Sequence, residues 1–149
     1  MTLRFVWIFV VFIRCSQNAM VTDPIADFLI HLKNVGRARR ATASIAYSKA
    51  KEAIAKLLLH EGYLTKVETK GKKVGHKILE LELAYPTKGV CKVTEVARIS
   101  KPGRRVYASA SELPYARRGI IVVSTSSGLC TTRQAKAKKL GGEVLFSIW

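Results

Sequence analysis

Lys101-Pro102-Gly103-Arg104-Arg105 puts three cations on one short turn with Pro and Gly at its centre. Cations placed this way pair with phosphate oxygens, the contacts that seat a protein on a nucleic-acid backbone. On a neutral chain the same turn would be a solvated hairpin tip. Tyr107 follows in the next extended stretch. Its ring can stack on an unpaired base, or pack into a core with its hydroxyl bonded. Ser124-Thr125-Ser126-Ser127-Gly128 gathers four hydroxyls and a glycine, and Thr131 and Thr132 follow closely. Short hydroxyls both donate and accept, which suits ribose 2′-hydroxyls, phosphates and minor-groove base edges. The same composition also makes an ordinary serine–threonine turn. Gly141-Gly142-Glu143 permits a tight reversal and ends on a carboxylate. That carboxylate can accept from base amino groups or from backbone N–H groups of the serine loop, or it is only the first residue of a strand. Arg133, Lys136, Lys138 and Lys139 lie between these two motifs.

The charge of the whole chain bears on these alternatives. Its 149 residues carry 26 Lys and Arg against 10 Asp and Glu, so the net charge, 26 − 10, is +16. An acidic small molecule needs no such surplus. A nucleic-acid backbone uses it, because each neutralised phosphate releases counterions; an anionic membrane surface is the rival partner. The surplus is uneven. Residues 20–85 hold 12 basic and 7 acidic side chains, or +5, whereas residues 86–149 hold 12 and 3, or +9. The second half is therefore the expected polyanion-binding half.

Catalysis has little to stand on. The histidines His31, His60 and His76 are scattered, and no Walker loop, dinucleotide fingerprint or nucleophile elbow occurs. Ser126-Ser127-Gly128 lacks the glycine that a nucleophile elbow needs two residues earlier. Glu80 and Glu82 could mimic a metal-binding pair, but a solvated sheet face near Lys66 explains them as well. Cys15, Cys91 and Cys130 are odd in number and widely spaced, which excludes a disulfide framework and a zinc-binding CxxC. They fit free thiols in a reducing cytoplasm. No enzyme, cofactor, metal or small-molecule substrate is expected.

The elements that must position these groups follow from periodicity. Thr22-Asp23-Pro24 opens a helix with apolar residues Ile25, Phe28, Leu29, Leu32 and Val35 on one face, closed at Gly36. Thr42–Tyr47 is a short strand, and Ser48 caps a second helix that Gly62 ends. Tyr63–Thr69 and Lys77–Tyr85 are strands around the basic turn Lys70–Gly75. After Pro86 come strands at Val93–Ile99 and Arg105–Ala110, a helical piece from Ser111 to Arg118, and a buried strand Ile120–Val123. A short basic helix, Thr131–Leu140, and a last strand, Glu143–Trp149, complete the chain. The expected fold is α+β: an α-β-α-β-β lobe over residues 20–85 packed on a mainly antiparallel lobe over residues 86–149.

Residues 1–19 do not fit this pattern. Phe5–Ile13 is an unbroken apolar run of nine, against about 20 needed to span a membrane. Its length suits a signal-peptide core with Arg4 before it, but Arg14 follows directly and the cleavage end is poor. The alternative is a translation start at Met20, which makes residues 1–19 an upstream artefact without function; that is the expectation taken.

Met20-Val21-Thr22-Asp23-Pro24-Ile25-Ala26-Asp27 resembles the opening of the bacterial-type family of the eighth small-subunit ribosomal protein. Tyr47-Ser48-Lys49, Glu61-Gly62-Tyr63, Arg98-Ile99-Ser100-Lys101-Pro102-Gly103 and Val106-Tyr107 are similar in the same order. The most specific likeness is Ser124–Gly128 with Gly141-Gly142-Glu143 and a terminal Trp149. The resemblance covers nearly all of residues 20–149. It implies a non-catalytic constituent of the small ribosomal subunit, bound directly to the central domain of small-subunit ribosomal RNA and acting early in assembly beside neighbouring ribosomal proteins. It also implies a cytoplasmic, bacterial-type ribosome, and RNA contacts at Tyr107, Ser124–Gly128 and Gly141–Glu143. Ala46 stands where the family often has Pro, and Thr132 where an Asp usually caps the last helix.

Overall fold

The computed structural model describes residues 23–71, 77–87 and 89–149. Residues 1–19 and most of the Lys70–Gly75 turn lie outside the described residues. Asp23 caps α1 (Pro24–Arg37), its carboxylate accepting from the backbone N–H groups of Ile25 at 3.1 Å and Ala26 at 3.2 Å. β1 (Thr42–Ala46), α2 (Lys49–His60), β2 (Leu64–Lys70) and β3 (Ile78–Leu83) follow, and β3 is the central strand of an antiparallel sheet ordered β1-β3-β2. Alternation along β3 buries Leu79, Leu81 and Leu83 against the helices. Glu80 and Glu82 point the other way, Glu80 paired with Lys70 at 2.6 Å and Glu82 opposite Lys66. They lie in a charged ladder with Lys66, Glu68 and Lys70 on the face away from the helices.

The second sheet contains β4 (Val96–Arg98), β5 (Tyr107–Ala108), β6 (Ile120–Thr125), β7 (Gly128–Thr131) and β8 (Gly142–Ile148), with α3 (Thr132–Ala137) between β7 and β8. Its order is β4-β8-β6-β7, and β5 takes the place of β4 further along β8. All pairings are antiparallel, and the fold is α+β. Val122, Phe146 and Ile148 join the main core beneath α1 and α2, while Ile121, Val123 and Val144 join a smaller one with Leu113, Cys130 and Ala135. Burial on both faces is why Ile120–Val123 is apolar without alternation.

Register slips once in this sheet. Val122 faces Phe146 but Val123 faces Val144, so Leu145 is an extra residue. The bulge inverts the alternation of β8 beyond it. The Leu145 carbonyl turns to accept from Ile99 N, Ser100 N and the Arg98 guanidinium at 3.1, 3.2 and 2.7 Å.

Several elements differ from expectation. Val93–Ile99 and Arg105–Ala110 shorten to β4 and β5, because β8 turns at its bulge and can ladder only in two short stretches. No helix forms over Ser111–Arg118; a turn at Ala110–Glu112 leads into irregular chain, with Leu113 as its anchor in the smaller core. Gly36 lies inside α1 and does not end it: a Cβ there would stand 3.0 Å from Cys91 Sγ, so this glycine lets the Cys91–Val93 segment approach. Ser48 occupies the N-cap of α2 without a side-chain hydrogen bond. Thr131, not Thr132, caps α3, in a reciprocal box with Gln134.

The two sheets are tied together. Arg98 donates to Asp23 at 2.9 Å, Tyr63 OH to the Ile148 carbonyl at 3.4 Å and Gln134 to Glu61 at 3.4 Å, and Glu95 receives Lys33 and Arg37.

Candidate nucleic-acid interface

Tyr107 and Ser124 both pair with Glu143, one on each side of β8, and Leu129 of β7 pairs with Ser124. Paired residues of an antiparallel ladder project to the same face. Tyr107, Glu143 and Ser124 therefore stand side by side, although 36 residues separate Glu143 from Tyr107 and 19 separate it from Ser124. Tyr107 is 71% exposed, so its ring is a surface platform and not a core residue.

Glu143 has definite partners. It accepts from the hydroxyl of Ser100, which is fully buried, and from Arg105 Nη1 at 2.8 Å. Ser100 Oγ in turn accepts from Val106 N at 3.4 Å. Burial opposes ionisation of Glu143, but the hydrogen bonds of Ser100 and Arg105 and the nearby guanidinium charges outweigh it and hold the carboxyl below its ordinary value. The backbone N–H groups of the serine loop, one expected partner, are not its donors. Glu143 instead fixes the strand end that carries Arg105 and Tyr107.

Gly142 makes this closeness possible. A Cβ there would lie 2.1 Å from the Ser124 carbonyl oxygen, so only glycine lets β6 and β8 meet at this point. Gly141 similarly faces the Ala108 carbonyl, 2.8 Å from where a Cβ would sit.

The serine loop is a hairpin turn joining β6 to β7. Thr125 and Gly128 are its paired ends, and Ser126 and Ser127 are its tip. Gly128 has φ +110°, which suits glycine. Thr125 Oγ1 donates to the Gly128 carbonyl at 2.9 Å and lies 3.2 Å from Ser127 Oγ, so those hydroxyls are engaged within the turn. Ser126 is exposed at the tip and has no side-chain partner among the described residues.

Lys101 and Arg104 form a two-residue reversal closed by backbone bonds of 2.9 and 3.0 Å, with Pro102 and Gly103 at its tip. Both cations are exposed and make no ion pair among the described residues. Arg105 differs, being held by Glu143. Across residues 86–149, Arg98 and Arg105 are the only cations in ion pairs among the described residues. Lys92 donates to the Glu61 carbonyl at 2.9 Å and lies over the Tyr63 ring, and the other cations of this half among the described residues are exposed without an ion pair.

The family model described as ribosomal protein S8 matches residues 23–149. The chain belongs to the ribosomal protein S8 family. A ribosomal protein of this family is structural and not an enzyme. Proteins named small ribosomal subunit protein uS8 match over 131 residues, covering 87% of this chain and 98% of each relative: 37% identical in Syntrophus aciditrophicus, 44% in Corynebacterium efficiens and 40% in Dictyoglomus turgidum.

Within this S8-family fold, two contributors escaped sequence reasoning. Ser100 lies in a polar turn segment that gives no periodic burial signal, yet it is fully buried beneath Glu143. Arg98 could have been singled out only as one cation among many. The structure buries it between Asp23, the Leu145 carbonyl and the start of the site.

Proposed function

We propose that this protein is a structural constituent of the small ribosomal subunit, binds small-subunit ribosomal RNA directly in its central domain, and helps nucleate assembly there. The observation that carries the proposal is the row Tyr107–Glu143–Ser124, flanked by the unpaired cations Lys101 and Arg104 and the free hydroxyl of Ser126. An exposed aromatic, short hydroxyls and unpaired cations on one edge suit a structured RNA helix with irregular, partly unpaired bases. The relatives named as small ribosomal subunit proteins support the same placement. RNA-contacting residues are Lys101, Arg104, Arg105, Tyr107, Ser124, Thr125, Ser126, Ser127, Gly128, Gly141, Gly142 and Glu143. The last of these acts in part by holding Arg105. The setting is a cytoplasmic, bacterial-type ribosome with neighbouring ribosomal proteins as partners and no membrane. Residues 1–19 contribute nothing to binding. Among the described residues no helix is long and apolar enough to cross a membrane.

Hydroxyl-radical footprinting of the full chain on its own small-subunit rRNA tests the proposal. Protection confined to one region of the central domain, lost on competition with that RNA fragment, is the expected result. Uniform or absent protection overturns it. A chain beginning at Met20 should give the same footprint and affinity.

A further inference from the structure

A second basic and aromatic surface lies at the other end of the β6–β7 hairpin. An open cleft of about 380 Å³ is lined by Pro114 and Tyr115, by Thr132, Arg133 and Lys136 of α3, and by Glu61, the C-cap of α2. Ile120, where β6 begins, borders this cleft, whereas Thr125, where β6 ends, leads into the serine turn. Five residue steps of strand separate the two by about 17 Å. The cleft is thus distinct from the row at Glu143.

Its chemistry is specific. Tyr115 is 82% exposed, more than any other large apolar or aromatic side chain among the described residues. Arg133 and Lys136 also line the cleft, and Arg117 and Arg118 follow Tyr115 in the same irregular segment just outside the lining; all four are exposed and form no ion pair among the described residues. Glu61, the single carboxylate of the lining, is already engaged by Gln134. An aromatic platform bordered by dispersed cations matches a nucleotide strand, with a base on the ring and phosphates on the cations. A small-molecule site would gather its polar groups in an enclosed, mostly apolar pocket. An apolar protein partner would need aliphatic anchors, and among the described residues no other exposed large apolar side chain lies in this lining.

We propose that the Tyr115–Arg133 cleft is a second RNA-binding site, which takes a single-stranded segment of the same RNA with one base stacked on Tyr115. The inference rests on the RNA-binding reading above and adds a contact that the Tyr107–Glu143–Ser124 row does not reach.

Footprinting of the full chain on its small-subunit rRNA, with salt-dependent affinity measured in parallel, tests it. Tyr115→Ala should erase a discrete set of protections, while Tyr115→Phe should keep them. Lys101→Ala/Arg104→Ala should leave that set intact and lose another. Tyr115→Ala should weaken binding roughly 5- to 150-fold, the value of one lost base stack. Arg117→Ala/Arg133→Ala should lower the slope of log affinity against log salt by roughly 1.4. If the parent chain protects the RNA and every protection survives Tyr115→Ala and the double arginine change, the second site is wrong and the RNA-binding reading stands. If these variants lose only a neighbouring ribosomal protein in reconstitution, the cleft is a protein surface and the inference is equally overturned. Absence of any protection by the parent chain overturns both. Because Tyr115 is exposed, its variants should melt with the parent chain, and that melting curve is the control for folding.

Discussion

Ser100 is fully buried and donates its hydroxyl to Glu143, joining the turn that carries Lys101 and Arg104 to the strand that lies between Tyr107 and Ser124. A carboxylate in the most basic part of the molecule thereby serves as an anchor for cations.

Glu143→Ala should separate electrostatics from architecture. It leaves Ser100 without its acceptor in a buried position, which costs about 1–3 kcal/mol of stability, readable in urea unfolding. Removing a negative charge strengthens any purely electrostatic association, so binding to random RNA should hold or rise. Binding to cognate rRNA should fall, because Arg105 is no longer fixed. Equal tightening on both RNAs would show that the carboxylate has no part in the specific site.

Acid should destabilise the fold through two carboxylates. Burial opposes the ionised forms of Glu143 and Asp23, yet hydrogen bonds from Ser100 and Arg105 to one, and from Arg98 and the α1 backbone to the other, leave both below their ordinary values. A depressed folded-state pKa gives stability that is complete above the unfolded value, near pH 4, and lost as pH falls through the folded value. The urea midpoint should be flat from pH 7 to about pH 5 and drop below about pH 4. Glu143→Gln should shrink that drop, and an unchanged acid limb in this variant would exclude Glu143 as a contributor.

Two glycines should respond oppositely to alanine. At Gly142 the new Cβ would meet the Ser124 carbonyl oxygen at 2.1 Å, forcing β6 and β8 apart; a loss of at least about 2 kcal/mol is expected. At Gly103 nothing lies within 4 Å of the new Cβ, so stability should change by no more than about 0.5 kcal/mol. Thermal melting of the pair decides this, and comparable melting temperatures would mean that the strands relax freely.

Lys101→Ala/Arg104→Ala should reduce the salt slope of rRNA binding by roughly 2, with cognate preference and melting temperature little altered. Adding Arg105→Ala should cost more than one further phosphate contact, because it also strips Glu143 of a partner. A double variant with the parent slope would make this turn a solvated tip.

Ser126→Ala removes the one tip hydroxyl of the serine turn that has no partner in the fold among the described residues. A bond lost from a desolvated interface costs about 1–3 kcal/mol. Cognate binding should therefore weaken several-fold at unchanged melting temperature. Thr125→Ala should instead lower the melting temperature, since its hydroxyl holds the Gly128 carbonyl. Calorimetry and binding on the two variants distinguish an RNA contact from a turn brace.

The sequence alone determined much of the fold because the signals were local. The helix opening at Asp23-Pro24 and the alternation of Leu79, Leu81 and Leu83 are set by capping and periodicity within a few residues. The doubly buried run Ile120–Val123 was legible for the same reason. The motifs that carried the family resemblance, from Lys101 to Glu143, were legible as residue types. Their mutual arrangement was not. Strict alternation would place Glu143 on the same face of β8 as Leu145 and Ser147, away from Phe146. The extra residue at Leu145 turns Glu143 over to the face of Phe146, where Ser100 and Arg105 wait. A bulge arises where strand register, side-chain packing and carbonyl satisfaction must agree across a sheet. Here three donors from the Arg98–Ser100 segment, far away in sequence, stabilise it. No window of neighbouring residues contains that information, so the shortened β4 and β5, the absent helix after Ser111 and the true partners of Glu143 were decided only when the chain closed on itself.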